Sequence, residues 1–334
     1  MRSLFFSTLA ACLFLVPPLA FAVDYPYTTF SALEAVYDDG QSAYGGSGPI
    51  SLVGVVINNP LDMLDGAMQW QTYVQALPAG TYGGYTVVTG DFGGAAMYMT
   101  KYFTDWSHGY PPTVSQLYND VEWSNEMDRL NYPGDPTKLQ PSLRYGDVVV
   151  VRAGAPGLFY GGKFNINEQH DASPSKDFSI TILDHGTTPA AADITLAKLK
   201  DISNQYIFAE NRATGCEHYQ GSLVTLSGLQ LVDPNASWTA NSTVVVKQLG
   251  ADGITRTFDL LLGLDSGLLS KNPHSSLFDV TAILDQEDGT APYTGGYRLW
   301  LTSASLLTVP EPGTLVLLVS GLIGLAAYAW RKRK

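Results

Sequence analysis

The sequence predicts a mainly β body, made of two tandem small antiparallel barrels and followed by one C-terminal transmembrane helix. Most apolar segments of the body are four to eight residues long and end at Gly, Pro, Asn or Asp, which is typical of strands. Two phrases recur in the same order in the two halves of the chain, and an uncharged stretch lies near the C-terminus. A β-sandwich would satisfy the same strand count and stays open as the alternative.

Nine segments have the length and composition of strands. They are Leu52–Ile57, Gln71–Ala76, Ala95–Thr100, Asp147–Val151, Leu223–Val232, Thr243–Lys247, Phe258–Leu262, Phe278–Leu284 and Tyr297–Leu301. Helical periodicity is scarce, and the best helix candidates are Val114–Glu126 and Leu196–Gln205.

A weak internal repeat indicates a duplicated unit. In Gly54–Pro60 and in Gly228–Pro234, a glycine precedes a short apolar strand and a proline follows the glycine by six positions. Gly146–Ile166 and Phe278–Leu301 each contain an Asp-Val pair that opens a strand, then a Tyr, a Gly-Gly pair and a second strand. Turns of unrelated hairpins recruit the same residues, so the common order of the two features carries the argument.

The phrases "GDVVVVRA" and "FDVTAIL" resemble the fourth strand of OB-fold domains, which are five-stranded Greek-key barrels. This resemblance implies two OB-like barrels in tandem. The first would span residues 47–185 with an insertion at 102–141, and the second would span residues 194–307. Residues 186–193 would be the linker, and residues 23–46 an N-terminal segment.

Residues 1–22 have the features of a secretory signal peptide. Arg2 supplies a positive charge, Leu4–Leu19 is apolar, and Ala20 and Ala22 form an A-x-A cleavage pattern, so the mature chain is expected to start at Val23. Residues 9–12 also resemble a lipoprotein box, which is the weaker alternative.

The other end of the chain predicts a membrane anchor. Thr314–Trp330 is an uncharged stretch of 17 residues, or about 25 Å of helix, at the short end of what crosses a bilayer. The cations that follow would hold this end in the cytoplasm; they are Arg331, Lys332, Arg333 and Lys334. A buried C-terminal helix is the alternative, but such a helix would carry a polar face.

A Pro-Glu-Pro phrase precedes the predicted anchor, within Val309, Pro310, Glu311, Pro312 and Gly313. This phrase, an apolar helix and an Arg/Lys cluster, in that order over residues 309–334, closely resemble the PEP-CTERM sorting signal of Gram-negative bacteria. The resemblance implies export and anchoring in the inner membrane. It further implies cleavage by an exosortase-type enzyme and a final place at the cell surface or outside the cell, where extracellular polysaccharide and biofilm matrix are made.

The body is strongly acidic. The chain has 19 Lys and Arg and 31 Asp and Glu; without the signal peptide and tail, 14 and 30 remain, a net charge of about −16. Such a body repels nucleic acids, so no nucleic-acid partner is expected unless Arg144, Arg152 and Lys163 form a basic groove. Cys12 leaves with the signal peptide, so Cys216 is expected to form no internal disulfide.

No pattern in the sequence identifies a catalytic centre. The five histidines are dispersed, and the sequence contains no H-E-x-x-H, G-x-S-x-G or P-loop motif. An aromatic-rich stretch offers ring faces beside carboxylates and amides, as saccharide sites do; its candidate ligand-binding residues are Trp106, Tyr110, Tyr118 and Trp123. Packing of a partly buried insertion is the alternative reading of this stretch.

Carboxylates cluster in three places, at Asp38–Asp39, Asp120–Asp128 and Asp285–Asp288. Asp285, Glu287 and Asp288 lie in the turn of the second hairpin and could hold Ca²⁺, although a solvated turn is the simpler interpretation and no cofactor is expected.

The sequence therefore predicts an exported surface or matrix protein with a non-enzymatic role. A secreted polysaccharide hydrolase using Asp120, Glu122 or Glu126 and an OB-type nucleic-acid binder are the alternatives.

Overall fold

The computed structural model describes residues 24–101, 118–167 and 178–309. Within them the chain forms sixteen strands and four α-helices. The strands are β1 Ile50–Val56, β2 Gln69–Ala76, β3 Gly80–Tyr82, β4 Tyr85–Val87, β5 Gly94–Thr100, β6 Val148–Ala153, β7 Leu158–Tyr160, β8 Lys163–Asn167, β9 Phe178–Asp184, β10 Ala192–Ile194, β11 Leu223–Leu231, β12 Thr243–Leu249, β13 Thr255–Leu262, β14 Phe278–Gln286, β15 Tyr297–Leu301 and β16 Leu307–Thr308. The helices are α1 Phe30–Leu33, α2 Asp120–Asn131, α3 Gly215–Tyr219 and α4 Ser266–Leu269.

The C-terminal half of the body closes into a five-stranded barrel. Its strands follow the order β11-β12-β13-β15-β14 and return to β11, with β13 and β15 parallel; α4 lies between β13 and β14 along the chain. Gly228 lies at a register shift of β11 with φ of +69°, a conformation that favours glycine, and this bulge lets β11 pair with both neighbours. The predicted pairing of Phe278–Leu284 with Tyr297–Leu301 is confirmed.

The N-terminal half forms an open sheet of order β7-β8-β5-β2-β1-β6-β9. It repeats several pairings of the barrel, because β1 pairs with β2 and β6 and because β5 runs parallel to β8. Among the described residues, however, β6 pairs along its length with β9 rather than with β8. Within the described segments one closed barrel is therefore present, and two tandem barrels are not confirmed.

All nine predicted strands are present, with ends shifted by a few residues. The helix predicted at Leu196–Gln205 is wrong, since only a single 3₁₀ turn forms at Leu196–Lys198. Asp201 then accepts backbone N–H groups of Ser203 and Gln205, and Asn204 adopts φ of +61°, so the chain turns instead of continuing as a helix. The helix predicted at Val114–Glu126 is instead α2, which begins at Asp120.

The open sheet and the barrel share a hydrophobic core. Val53, Tyr73 and Val150 of the sheet pack in one buried cluster with Ile283 and Trp300 of the barrel. The backbones also meet closely, since a Cβ added at Gly94 would lie 2.1 Å from the carbonyl oxygen of Gly221. The two β units therefore form one continuous body.

Asp285 of the barrel ties this junction together. Its carboxylate has no exposed surface and accepts hydrogen bonds from Tyr73 Oη at 2.5 Å and from Lys163 Nζ, both in the sheet. Arg298 Nε donates to the second oxygen at 2.9 Å. Burial by itself would raise the pKa of Asp285, but Lys163 and Arg298 outweigh it and hold that pKa below its usual value.

The predicted membrane span at 314–330 and the signal peptide at 1–22 lie outside the described residues. Within those residues, no helix combines the length and the apolar character needed to cross a membrane.

We expect Asp285→Ala to lower the free energy of unfolding by about 3–5 kcal/mol, because it leaves Lys163 buried without its counter-charge. Urea denaturation of the full chain measures this change. Asp193→Ala removes an exposed carboxylate of β10 and should change the stability by less than about 0.5 kcal/mol. Equal stabilities of the two variants would contradict the role of Asp285.

Candidate functional site

A surface groove of about 530 Å³ lies between the loop that follows α2 and the end of β9. Residues 132–141 supply one wall, and residues 182–185 supply the other. A second cavity of about 390 Å³ adjoins it and shares Tyr132, Gly134 and Asp135. The first volume is within the range of small-ligand sites.

Local sequence builds the α2 wall of the groove. Asn119 caps α2 by accepting from the N–H groups of Val121 and Glu122, while the Glu122 carboxylate accepts from Asn119 N at 2.9 Å. At the other end, Asp135 accepts from Thr137 N at 2.9 Å and from Gln140 N at 2.7 Å. These hydrogen bonds within the protein fix the shape of the loop that forms this wall.

His185 stands at the opposite wall and is held by a buried carboxylate. Its Nδ1 lies 2.7 Å from Oδ1 of Asp147, which has no exposed surface, and Arg144 N donates to the other oxygen of Asp147 at 3.0 Å. A carboxylate can only accept, so Nδ1 carries the proton and Nε2 of this 44% exposed side chain is left for the groove. A register shift places Leu183 as an extra residue on β9 just before His185.

The groove combines apolar and hydrogen-bonding surface. Tyr132, Pro133 and Leu139 offer ring and aliphatic faces, while His185 and Asp184 offer polar atoms. Stacking on C–H faces together with hydrogen bonds to hydroxyls is how proteins hold saccharides. Within the described part of the chain, no group of three or more His, Cys, Asp or Glu side chains could hold a metal ion.

Two of the four aromatic residues predicted to bind ligand lie in the core of the sheet. Tyr118 and Trp123 are each 6% exposed and belong to the core of the sheet, with ring centroids 6.0 Å apart. Trp123 Nε1 donates to the carbonyl of Gly66 at 2.8 Å, so its polar atom is used inside the fold. Trp106 and Tyr110 lie outside the described residues.

The three predicted calcium ligands already have protein partners. Asp285 is buried in the junction, and Glu287 pairs with Arg298. Asp288 accepts from Gly295 N at 3.0 Å and so helps to close the hairpin turn. Calcium binding at this turn stays a prediction.

Each of the carboxylates considered for hydrolysis has a partner within the described part of the chain. Asp120 pairs with Lys101 at 2.5 Å, Glu122 caps α2, and Glu126 pairs with Arg129 at 2.6 Å.

The residues considered for a basic groove are also separate. Lys163 is buried against Asp285, Arg152 lies 5.7 Å from the ring centroid of Tyr85, and Arg144 lies beside Asp147.

A second buried polar cluster lies where α1 and α3 meet. Glu34, Arg212 and Glu217 are each at most 2% exposed, and burial raises the pKa of Glu34 to about 8 and that of Glu217 to about 7. Glu34 Oε2 accepts from Phe164 N at 2.8 Å, while Arg212 Nη1 donates to the carbonyl of Ser31 at 3.2 Å. The cluster therefore links the N-terminal segment, the sheet and the barrel.

A comparison with protein families identifies the C-terminal signal. Residues 308–334 match the PEP-CTERM protein-sorting motif, so the chain carries this motif. The motif implies export, a membrane-anchored sorting signal before processing, and processing by an exosortase-type enzyme. No curated protein matches the chain significantly. Of the predicted sorting residues, Val309 is described and packs partly against the barrel core, while residues 310–334, Ala20 and Ala22 lie outside the described residues.

Stability should fall as the pH rises from about 5 to about 8. The carboxyl of Glu34 stays protonated in the folded state up to a pKa of about 8, while its usual pKa is 4.5, so the unfolded state binds fewer protons over this interval. We expect Glu34→Gln to flatten the dependence, measured by urea denaturation at several pH values. Glu210→Gln changes an exposed side chain and should keep the slope. An unchanged slope in Glu34→Gln would contradict this assignment.

Proposed function

We propose that the protein is an exported cell-surface or extracellular-matrix protein with a non-enzymatic binding role, and that its groove holds extracellular polysaccharide. The sorting motif supports the first part, because it implies that the body works outside the cytoplasm. The groove beside Tyr132 and His185 supports the second part and is the observation that carries it.

The chemistry of the groove favours a neutral saccharide. The ring of Tyr132 can cover a C–H face, and Nε2 of His185 can form a hydrogen bond with a hydroxyl group. The acidic body, at about −16 after loss of both termini, repels an anionic polymer. A neutral chain of sugars meets no such barrier.

Removal of the Tyr132 ring should weaken saccharide binding. We expect Tyr132→Ala to reduce affinity about tenfold, since aromatic contacts contribute roughly 0.5–1.5 kcal/mol beyond the buried area. A glycan array probed with the full-length chain identifies the ligand, and titration of that ligand measures the change. Tyr37→Ala is the matched control, because Tyr37 is 58% exposed and does not line the groove. Binding that Tyr132→Ala leaves at wild-type strength would place the ligand elsewhere.

Changes in the sorting tail should block maturation without disturbing the body. Glu311→Ala alters the Pro-Glu-Pro phrase, and deletion of residues 331–334 removes the cations that are costly to move through a membrane. We expect both variants to stay unprocessed and membrane-bound in a host with the processing enzyme, followed by size and by cell fractionation. Glu210→Ala, in an exposed part of the body, should mature normally. If both tail variants are released like the wild type, the tail is an ordinary anchor.

A further inference from the structure

The sorting motif begins on the barrel itself. The match starts at Thr308, and Thr308 is the second residue of β16, paired with Asp279 of β14. Val309 packs partly against the barrel core, and Pro310 follows directly. No spacer therefore separates the folded body from the Pro-Glu-Pro phrase.

Several contacts hold the end of the body in place. Leu307 is 3% exposed within the barrel core and pairs with Val280 of β14. Just before it, the Asp265 carboxylate accepts from Ala304 N at 2.7 Å, and Lys271 Nζ donates to the carbonyl of Ala304 at 2.9 Å. Residues 304–309 are thus part of the fold.

An enzyme that cuts near Pro-Glu-Pro needs room on both sides of the bond. Enzymes and binding domains that take an extended peptide pair with its backbone and seat its side chains in pockets. The side chain of Leu307 is buried in the barrel, and one edge of β16 is paired with β14. The segment from Val309 to Gly313 spans at most about 17 Å when extended, so it offers little free chain ahead of the predicted anchor.

We propose that residues 307–309 are a docking segment shared by the barrel and the processing enzyme, and that β16 must leave β14 before the chain can be cut. The barrel and the enzyme compete for the same residues. The rate of processing is then reduced by the fraction of time that β16 is docked. This inference rests on the processing proposed above.

A reversible cross-link tests the requirement for release. Asp279 and Thr308 are opposite each other in an antiparallel ladder, where the Cα separation suits a disulfide. We expect the double variant Asp279→Cys/Thr308→Cys to be processed at least about tenfold more slowly than wild type under oxidising conditions, and to recover when a reductant is added. The two single Cys variants are the controls for changes in side chain alone.

A flexible insertion tests the same point in the opposite direction. Six Gly and Ser residues between Val309 and Pro310 should increase the rate and restore processing of the cross-linked chain, because the enzyme then has free residues to grip. The same insertion at the exposed turn after Asp252 should leave the rate unchanged. All variants are followed as full-length chains in the host that holds the enzyme, and urea denaturation checks that each body is folded.

The outcomes separate this inference from the sorting proposal. Wild-type rates for the cross-linked chain, with Glu311→Ala still blocked, would overturn the release of β16 and leave sorting intact; the enzyme would then work on docked β16. A wild-type chain that is never cut would overturn both.

Discussion

The desolvated carboxylate of Asp285 is the constraint on which the assembly of the body depends. Such a group is costly to bury unless cations and hydrogen-bond donors surround it. Arg298 comes from the adjacent barrel strand, but Lys163 and Tyr73 come from the open sheet. The buried carboxylate of the barrel therefore has its full set of cations and hydrogen-bond donors only when the sheet is packed against the barrel. This coupling makes the two β units one structural body. Of the two, the barrel has strands that form a closed ring of pairings.

The difference between the closed barrel and the open sheet creates the groove. The barrel and the sheet both contain the Asp-Val phrase, but the two aspartates make different contacts. Asp279 accepts from Gly228 N at 2.7 Å and so supports the bulge of the barrel. Asp147 instead orients His185, because β9 occupies the edge of β6 and brings His185 alongside. The pairing of β9 with β6 thus places His185 where Asp147 can support it as a candidate binding residue.

The sequence predicts the positions of the strands in the body better than it predicts contacts between residues that are distant along the chain. Strands such as Thr243–Leu249 are short β-branched segments between turn residues, and their pattern is visible without a fold. The partner of Asp285 is 122 positions away in sequence, so a calcium turn and a buried ion pair look alike in the sequence. The sequence also does not show whether Trp123 is buried or exposed, because aromatic side chains both line saccharide sites and fill hydrophobic cores. His185 was missed because β9 was not recognised as a strand and its pairing with β6 is long-range.

The position of the sorting motif links folding to export. The predicted signal peptide at residues 1–22 implies export from the N-terminus; β14 would then reach the outside before β16, and the barrel could close around β11 without the tail. Docking of β16 is then the last contact of the body to form, next to the segment that the enzyme must reach. Because β16 pairs with β14 through two residue pairs, this short contact can open locally while the rest of the barrel stays folded. On the proposal above, this chain end serves first as part of the substrate and afterwards as the last strand of the released protein.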